Sequence, residues 1–125
     1  MKELTQENFY SAIKKCIDVD RYKVIIVLEK LSNQEVIRRD WLRPIEHLIS
    51  DISKLYMMSN GLRLHFENGS WIRVIPLCPS STCGRRADLV LCEPWMMMDD
   101  VVSIVLRSIE TYPIDFKLLK ESDEE

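Results

Sequence analysis

The first clear pattern is a set of apolar residues at helical spacing near the start of the chain. The residues that share this face are Phe9, Ala12, Ile13, Cys16 and Ile17. They predict an amphipathic helix over residues 5–17, because positions three and four apart lie on one side of a helix. Thr5 is the expected N-cap, since its hydroxyl can accept a hydrogen bond from a free backbone N–H.

A dense β-branched run follows this helix. Four consecutive residues of this kind, Val24–Val27, lie within the apolar segment Tyr22–Leu28. A short continuous apolar run is typical of a strand that is buried on both faces, as in a parallel sheet. We therefore expect a central strand at this position.

A second helical pattern covers residues 33–58. Ser32 and Glu35 have the spacing of a capping box, which places the start of the helix just after them. Pro44 is expected either to kink one long helix or to start a second one. The apolar stripe beyond this proline is Ile45, Leu48, Ile49, Ile52, Leu55 and Tyr56. The helix is expected to end near Met58, before the next glycine.

A β-hairpin is predicted at Leu62–Ile75. Asn68-Gly69 lies between two β-rich runs and favours a type I′ turn, in which both central residues have positive φ. The pairs in this register are Phe66 with Trp71, Leu64 with Arg73, and Leu62 with Ile75, all on one face of the hairpin. The residues assigned to the opposite face are Arg63, His65, Ile72 and Val74.

The last third of the chain predicts one more strand and one more helix. Ala87–Cys92 reads as a short buried strand, and a helix follows from about Asp99 to Pro113. The apolar residues that mark this helix are Val101, Val102, Ile104, Val105 and Ile109. Alternating strands and helices predict an α/β fold of two or three layers with a partly parallel sheet. The expected organisation is a single domain over residues 1–118 and an acidic tail over 119–125.

Composition and charge limit the functional classes. The chain has 125 residues, of which 46% are hydrophobic, enough for a packed core. The net charge of −3 gives no global attraction to nucleic acid or acidic membranes. No apolar run follows Met1-Lys2-Glu3, so a signal peptide is not expected and the protein is expected in the cytoplasm. In that compartment cysteines are reduced by default.

Two stretches in the second half of the chain resemble a known family. They read F-E-N-G-S-W-I-R-V-I-P at Phe66–Pro76 and G-R-R-A-D-L-V-L-C-E at Gly84–Glu93. In this order they resemble the ATPase domain of phage large terminases. In that family an N-G-S hairpin precedes a G-x-R-A-D loop and an apolar strand that ends in Asp-Glu. The resemblance implies a phage-encoded, terminase-like protein in the cytoplasm of a bacterial host.

The sequence departs from this family at the residues that handle ATP. A Gly-rich phosphate loop ending in Gly-Lys-Ser/Thr has no counterpart among the three glycines, although such a loop supplies the N–H groups that hold phosphates. Cys92 stands where the family has a metal-organising Asp, and a thiol is a poor ligand for Mg²⁺. Glu93 is retained in the place of the water-activating carboxylate. With the nuclease domain also absent, the resemblance implies a pseudo-ATPase without a cofactor or a metal.

Non-catalytic protein binding is the leading functional hypothesis. Trp95, Met96, Met97 and Met98 follow the last strand, and Trp71 lies on the hairpin. Tryptophan and methionine suit adaptable contact surfaces, because the thioether repacks easily. The partner would be another protein or a second copy of the chain. The competing interpretation of the methionines is core filling with one exposed side chain.

A nucleic-acid-binding accessory is the first alternative. The residues that would bind are Arg63, Arg73, Arg85 and Arg86. Arginines next to an exposed aromatic such as Trp71 form nucleic-acid surfaces in some folds. The competing interpretation is a set of surface arginines balanced by Glu67, Asp88 and Glu93.

A split nucleotide-hydrolysing site is the second alternative. Glu93 would then be the catalytic carboxylate, and another chain would complete the site.

The remaining candidate chemistry is the C-x4-C pair Cys78 and Cys83. Because a structural zinc ion needs four ligands, two free loop thiols are favoured over half of a zinc site.

Overall fold

The fold is taken from a computed structural model. The structure describes residues 1–50, 52–58, 61–78, 82 and 85–110, with the backbone alone for 53–58. The predictions that fall on Cys83, on Pro113 and on the acidic tail 119–125 lie outside these residues.

Six strands form one mixed sheet in the part of the chain that the structure describes. They are β1 (Lys2–Glu3), β2 (Lys23–Leu28), β3 (Ile52–Met58), β4 (Gly61–Phe66), β5 (Trp71–Pro76) and β6 (Leu89–Cys92). Their order across the sheet is β1-β6-β2-β5-β4-β3. The pairs β1–β6, β6–β2 and β2–β5 are parallel, whereas the pairs β5–β4 and β4–β3 are antiparallel. The predicted α/β fold with a partly parallel sheet and a hairpin is confirmed.

Four helical segments surround the sheet. They are α1 (Gln6–Asp18), α2 (residues 31–46), α3 (Pro94–Met98) and α4 (residues 100–110). The predicted N-cap of α1 is confirmed, because Thr5 Oγ1 accepts a hydrogen bond from the Asn8 N–H at 3.0 Å. Asp99 starts α4 in the same way, with Oδ1 3.0 Å from Val101 N and 2.9 Å from Val102 N.

The helices make the domain three layers thick. One core cluster lies between α1, α2 and the sheet, and a second lies between α3, α4 and the opposite face of the sheet. The first cluster includes Phe9, Ile13, Ile37, Leu42, Leu64 and Ile72. The second includes Ile25, Val27, Val90, Met96, Leu106 and Ile109. Both faces of β2 are therefore covered, which explains its continuous apolar run.

The predicted helix beyond Pro44 is wrong. Helix α2 ends at Glu46, and Ile52–Met58 is the edge strand β3, antiparallel to β4. The apolar spacing fits a helix, but pairing with β4 supplies the backbone hydrogen bonds of this segment, and such tertiary contacts override local preference. The predicted capping box is also wrong, because α2 begins without a side-chain cap. Pro44 lies in the first turn of the last part of α2, Arg43–Glu46.

The hairpin is confirmed, but its predicted register is wrong by one residue. The observed partners are Arg63 with Arg73, Leu64 with Ile72, and His65 with Trp71. The Phe66 N–H donates to Ser70 O at 2.9 Å, and the Gly69 N–H donates to Phe66 O at 3.2 Å. The loop thus has three residues, and only Gly69 has positive φ, which fits a type I turn with a bulge and excludes type I′.

The change of register exchanges the two faces of β5. Ile72 and Val74 point into the first core cluster, while Trp71 and Arg73 lie on the opposite face. A one-residue shift has this effect because side chains alternate between the faces of a strand. As a result Arg63 and Arg73 lie on the same face, directly opposite each other.

Helix α4 is tied to the sheet by the carboxylate of Glu110. Its Oε2 accepts a hydrogen bond from the Val90 N–H at 2.7 Å, and its Oε1 accepts one from the amino group of Met1. These contacts fix which side of α4 faces inward, and therefore which side faces solvent.

The buried thiol of Cys16 makes stability sensitive to alkaline pH. Burial, followed by the negative charge of Asp88, raises the pKa of Cys16 from 9.0 to about 12. Ionisation then favours the unfolded chain, so this contribution to stability is intact below pH 9.0 and is lost as the pH rises toward 12. The slope in this window is about 1.4 kcal/mol per pH unit.

Denaturant unfolding of the wild type and of Cys16→Ala across this pH range tests the prediction. We expect a shallower alkaline loss in Cys16→Ala, whatever its stability at neutral pH. Cys78→Ala is the control, because Cys78 is half-buried in the loop after β5 and its removal should leave the slope unchanged. Equal alkaline slopes in the wild type and Cys16→Ala would contradict the assignment.

Candidate interaction surfaces

Helix α3 presents two large apolar side chains to solvent. Met98 is 85% exposed and Trp95 is 40% exposed. Met97 is half-buried, and Met96 is fully buried in the second core cluster. Met96 was predicted to be part of a contact surface, and that prediction is wrong, because a short helix after a buried strand must turn one side chain into the core.

Helix α4 continues this apolar surface. Val101 and Ile104 are 71% and 68% exposed, and Val105 is also exposed. The inward side of α4 is formed by Leu106 and Ile109, which are buried. The sequence pattern predicts the helix from its apolar residues but does not separate its inward side from its outward side. The missed signal is that α4 has more apolar residues than one face can hold. We call Trp95, Met98, Val101, Ile104 and Val105 the apolar face.

A groove of about 530 Å³ runs beside the apolar face. One wall is α4, and the other includes Leu77, Cys78 and Thr82. Thr82 Oγ1 donates to Cys78 O at 2.9 Å, which closes a turn in this wall. Arg85 and Arg86 also line the groove. The groove thus joins an apolar helix to a basic margin.

The carboxyl end of β6 is occupied by structural contacts. Glu93 Oε2 accepts a hydrogen bond from the Glu29 N–H at 2.6 Å, which ties the end of β2 to the end of β6. Burial raises the pKa of Cys92 to about 11, so this thiol is neutral at physiological pH. Glu93 therefore holds two strands together, and this contact competes with a role in activating water.

The described residues contain no cluster of side chains suited to bind a metal ion. Within them, no group of three or more His, Cys, Asp and Glu side chains is placed to hold a metal ion. The predicted pair Cys78 and Cys83 is only half covered, since Cys83 lies outside the described residues.

Arg63 and Arg73 lie on the sheet face on the side of α3 and α4, and together with Arg85, in the segment before β6, they form what we call the arginine cluster. Arg63 and Arg73 are cross-strand partners. Burial, followed by the charges of Arg63 and Arg85, lowers the pKa of Arg73. The guanidinium of Arg73 lies over the ring of Trp71, with 4.2 Å between its Cζ and the ring centroid.

The fourth predicted arginine has a different setting. Arg86 is exposed, and its Nη1 donates to Arg85 O at 2.9 Å. The structure therefore brings three of the four predicted arginines close together, beside Trp71. In the structure as described, Arg63 and Arg73 make no ion pair with a carboxylate.

The fold and these surfaces define a three-layer α/β protein with an apolar face and an arginine cluster. Comparisons with protein-family models, with curated proteins and with solved structures find no match to this chain. Among the helices that the structure describes, none is long and apolar enough to cross a membrane.

Proposed function

We propose that this protein acts by binding protein, without catalysing a reaction, and that its apolar face is the contact. The observation that supports this function is the exposure of Met98, Val101 and Ile104 on adjacent turns of α3 and α4. Contiguous exposed apolar side chains mark interaction sites in soluble proteins. Burying one such side chain contributes about 1.5–3 kcal/mol, so the apolar face offers a large gain on association.

The partner that the apolar face fits is a second copy of this chain. Val101, Ile104, Val105 and Ser108 recur at the spacing of a helix-packing seam. Helix α4 has Asp100 at its start and Arg107 near its end. When two α4 helices pack antiparallel about a two-fold axis, Asp100 of one copy lies near Arg107 of the other. This charge pattern is self-complementary, as a symmetric interface requires.

We propose that the terminase resemblance reflects ancestry and not a shared activity. A phage-type relative of a terminase ATPase core could keep the sheet and hairpin while using neither nucleotide nor metal. The contact between Glu93 and the Glu29 N–H supports this interpretation, since it gives the carboxylate a structural role.

The mass of the protein in solution tests the proposal. Sedimentation equilibrium across a wide concentration range should show a dimer for the wild type. Ile104→Asp should weaken dimerisation about a hundredfold or more, because each copy would bury an unpaired carboxylate.

Leu48→Asp is the matched control. Leu48 is 71% exposed, close to the 68% of Ile104, but it follows α2 on the opposite side of the sheet. We expect this variant to dimerise like the wild type. A wild-type protein that stays monomeric at its highest soluble concentration would sink the self-association proposal, as would equal weakening in both variants.

A further inference from the structure

The arginine cluster is a second feature of the surface, and it is independent of the apolar face. Arg63 and Arg73 are paired directly across two antiparallel strands. Like charges in this position destabilise a sheet, since the two side chains are neighbours on one face. Arg85 adds a third positive charge close enough to lower the pKa of Arg73. An arrangement that costs stability in the free protein indicates a ligand that neutralises it.

Arg73 also has an unused hydrogen-bond donor. Its Nε is buried and finds no acceptor in the structure as described. A buried donor without a partner costs about 1–3 kcal/mol. The charges that act on Arg73 are the two other guanidiniums, both positive, so an anionic acceptor is favoured.

The surroundings of Arg73 are flat and aromatic. Its guanidinium lies on Trp71, and His65 is the cross-strand partner of Trp71. On the next strand, Tyr56 and Lys54 occupy the register positions opposite Arg63 and His65. Aromatic and basic residue types therefore occupy two rows of aligned positions across the three strands. One row is Trp71, His65 and Lys54, and the other is Arg73, Arg63 and Tyr56.

We propose that this face of β4 and β5, with Arg85, binds single-stranded nucleic acid. Phosphates contact the edges of the Arg63, Arg73 and Arg85 guanidiniums, and a base stacks on the outer plane of the Arg73 guanidinium, whose other plane lies on Trp71. Unpaired bases stack on aromatic rings and on guanidinium planes in this way. Stacking on this guanidinium needs a base that is not already paired and stacked inside a duplex, which favours a single strand. The net charge of −3 disfavours binding of polyanions by the rest of the surface.

Fluorescence anisotropy with a labelled oligothymidylate tests this proposal at low ionic strength. We expect the logarithm of the binding constant to fall linearly with the logarithm of the salt concentration. The expected slope is about −2, for three phosphate contacts on a single strand. Arg73→Gln should weaken binding about tenfold or more, because it removes a charge-assisted contact and the stacking plane. Arg43→Gln is the matched control, since Arg43 is exposed on α2, on the other side of the sheet.

Arg63→Gln separates binding from folding. It relieves the repulsion with Arg73, so its melting temperature should equal or exceed that of the wild type while its affinity for the strand falls. Three results would each overturn the proposal: binding that is absent or insensitive to salt, equal loss in Arg43→Gln, or duplex DNA bound as tightly as the single strand. Displacement of the strand by an equal concentration of inorganic phosphate would show a simple phosphate site instead.

Discussion

Gly61→Ala is expected to destabilise the protein by about 3 kcal/mol or more. Gly61 has a φ of +134°, a conformation that residues with a Cβ rarely adopt. A Cβ at this position would lie 2.1 Å from Val74 O, a backbone atom of β5 that cannot move without disturbing the sheet. Strain and overlap therefore add, and both act where β4 begins.

Chemical denaturation followed by circular dichroism measures this loss. Gly69→Ala is the matched control, because Gly69 also has positive φ, but its added Cβ would meet only the flexible side chain of Arg21, at 3.4 Å. We expect a smaller loss for this control, about 1 kcal/mol. Similar losses in the two variants would show that backbone conformation, and not the overlap with Val74, determines the effect.

Asn68→Ala is the second substitution with a large expected effect, a loss of about 2–3 kcal/mol. Asn68 Nδ2 donates to Cys16 O at 2.7 Å, to Ile17 O at 3.3 Å and to Val19 O at 3.2 Å. Its Oδ1 accepts a hydrogen bond from the Ser70 N–H at 3.1 Å. One side chain thus satisfies carbonyls at the end of α1, which have no partner within the helix, and holds the hairpin turn.

Thermal or denaturant unfolding of Asn68→Ala checks this prediction against Glu67→Ala. Glu67 lies next to Asn68 in the same loop but is exposed, so its removal should change stability by no more than about 0.5 kcal/mol. Asn68→Asp should be at least as harmful as Asn68→Ala, because it replaces the donor with an acceptor facing three carbonyls. Equal stability of Asn68→Ala and Glu67→Ala would rule out this role of the side chain.

The role of Asn68 bears on the terminase resemblance. Asn68-Gly69-Ser70 is part of the stretch that resembles the family. Ser70 is also structural, since its Oγ donates to Val19 O at 2.8 Å and accepts a hydrogen bond from the Tyr22 N–H at 2.9 Å. These residues would be favoured in any protein whose hairpin turn hydrogen-bonds to the end of a helix, whatever its activity. This part of the resemblance therefore has a structural explanation that requires no shared activity.

The two proposed surfaces meet at one residue. Arg85 lines the groove beside α4 and also belongs to the arginine cluster. The two proposals are nevertheless separable, because Ile104→Asp changes only the apolar face and Arg63→Gln changes only the cluster. Dimerisation and strand binding should respond to these substitutions independently.

The sequence alone determined the elements whose local signals agree with each other. Helix α1 has both an apolar face and the cap Thr5, and β2 has an unbroken β-branched run. The hairpin has Gly69, which provides the positive φ that its turn needs. These features depend on residues close together in the chain, so local preference suffices to predict them.

Only the tertiary structure decided the identity of β3, the register of the hairpin and the outward side of α4. The segment 52–58 has helical spacing, yet β4 supplies its hydrogen-bond partners. The hairpin register follows from the bulge at Gly69 and from burial of Ile72 against α1 and α2. The proximity of Arg63, Arg73 and Arg85 follows from that register and from the fold of the chain. Each of these features depends on contacts between residues far apart in sequence, which periodicity does not encode.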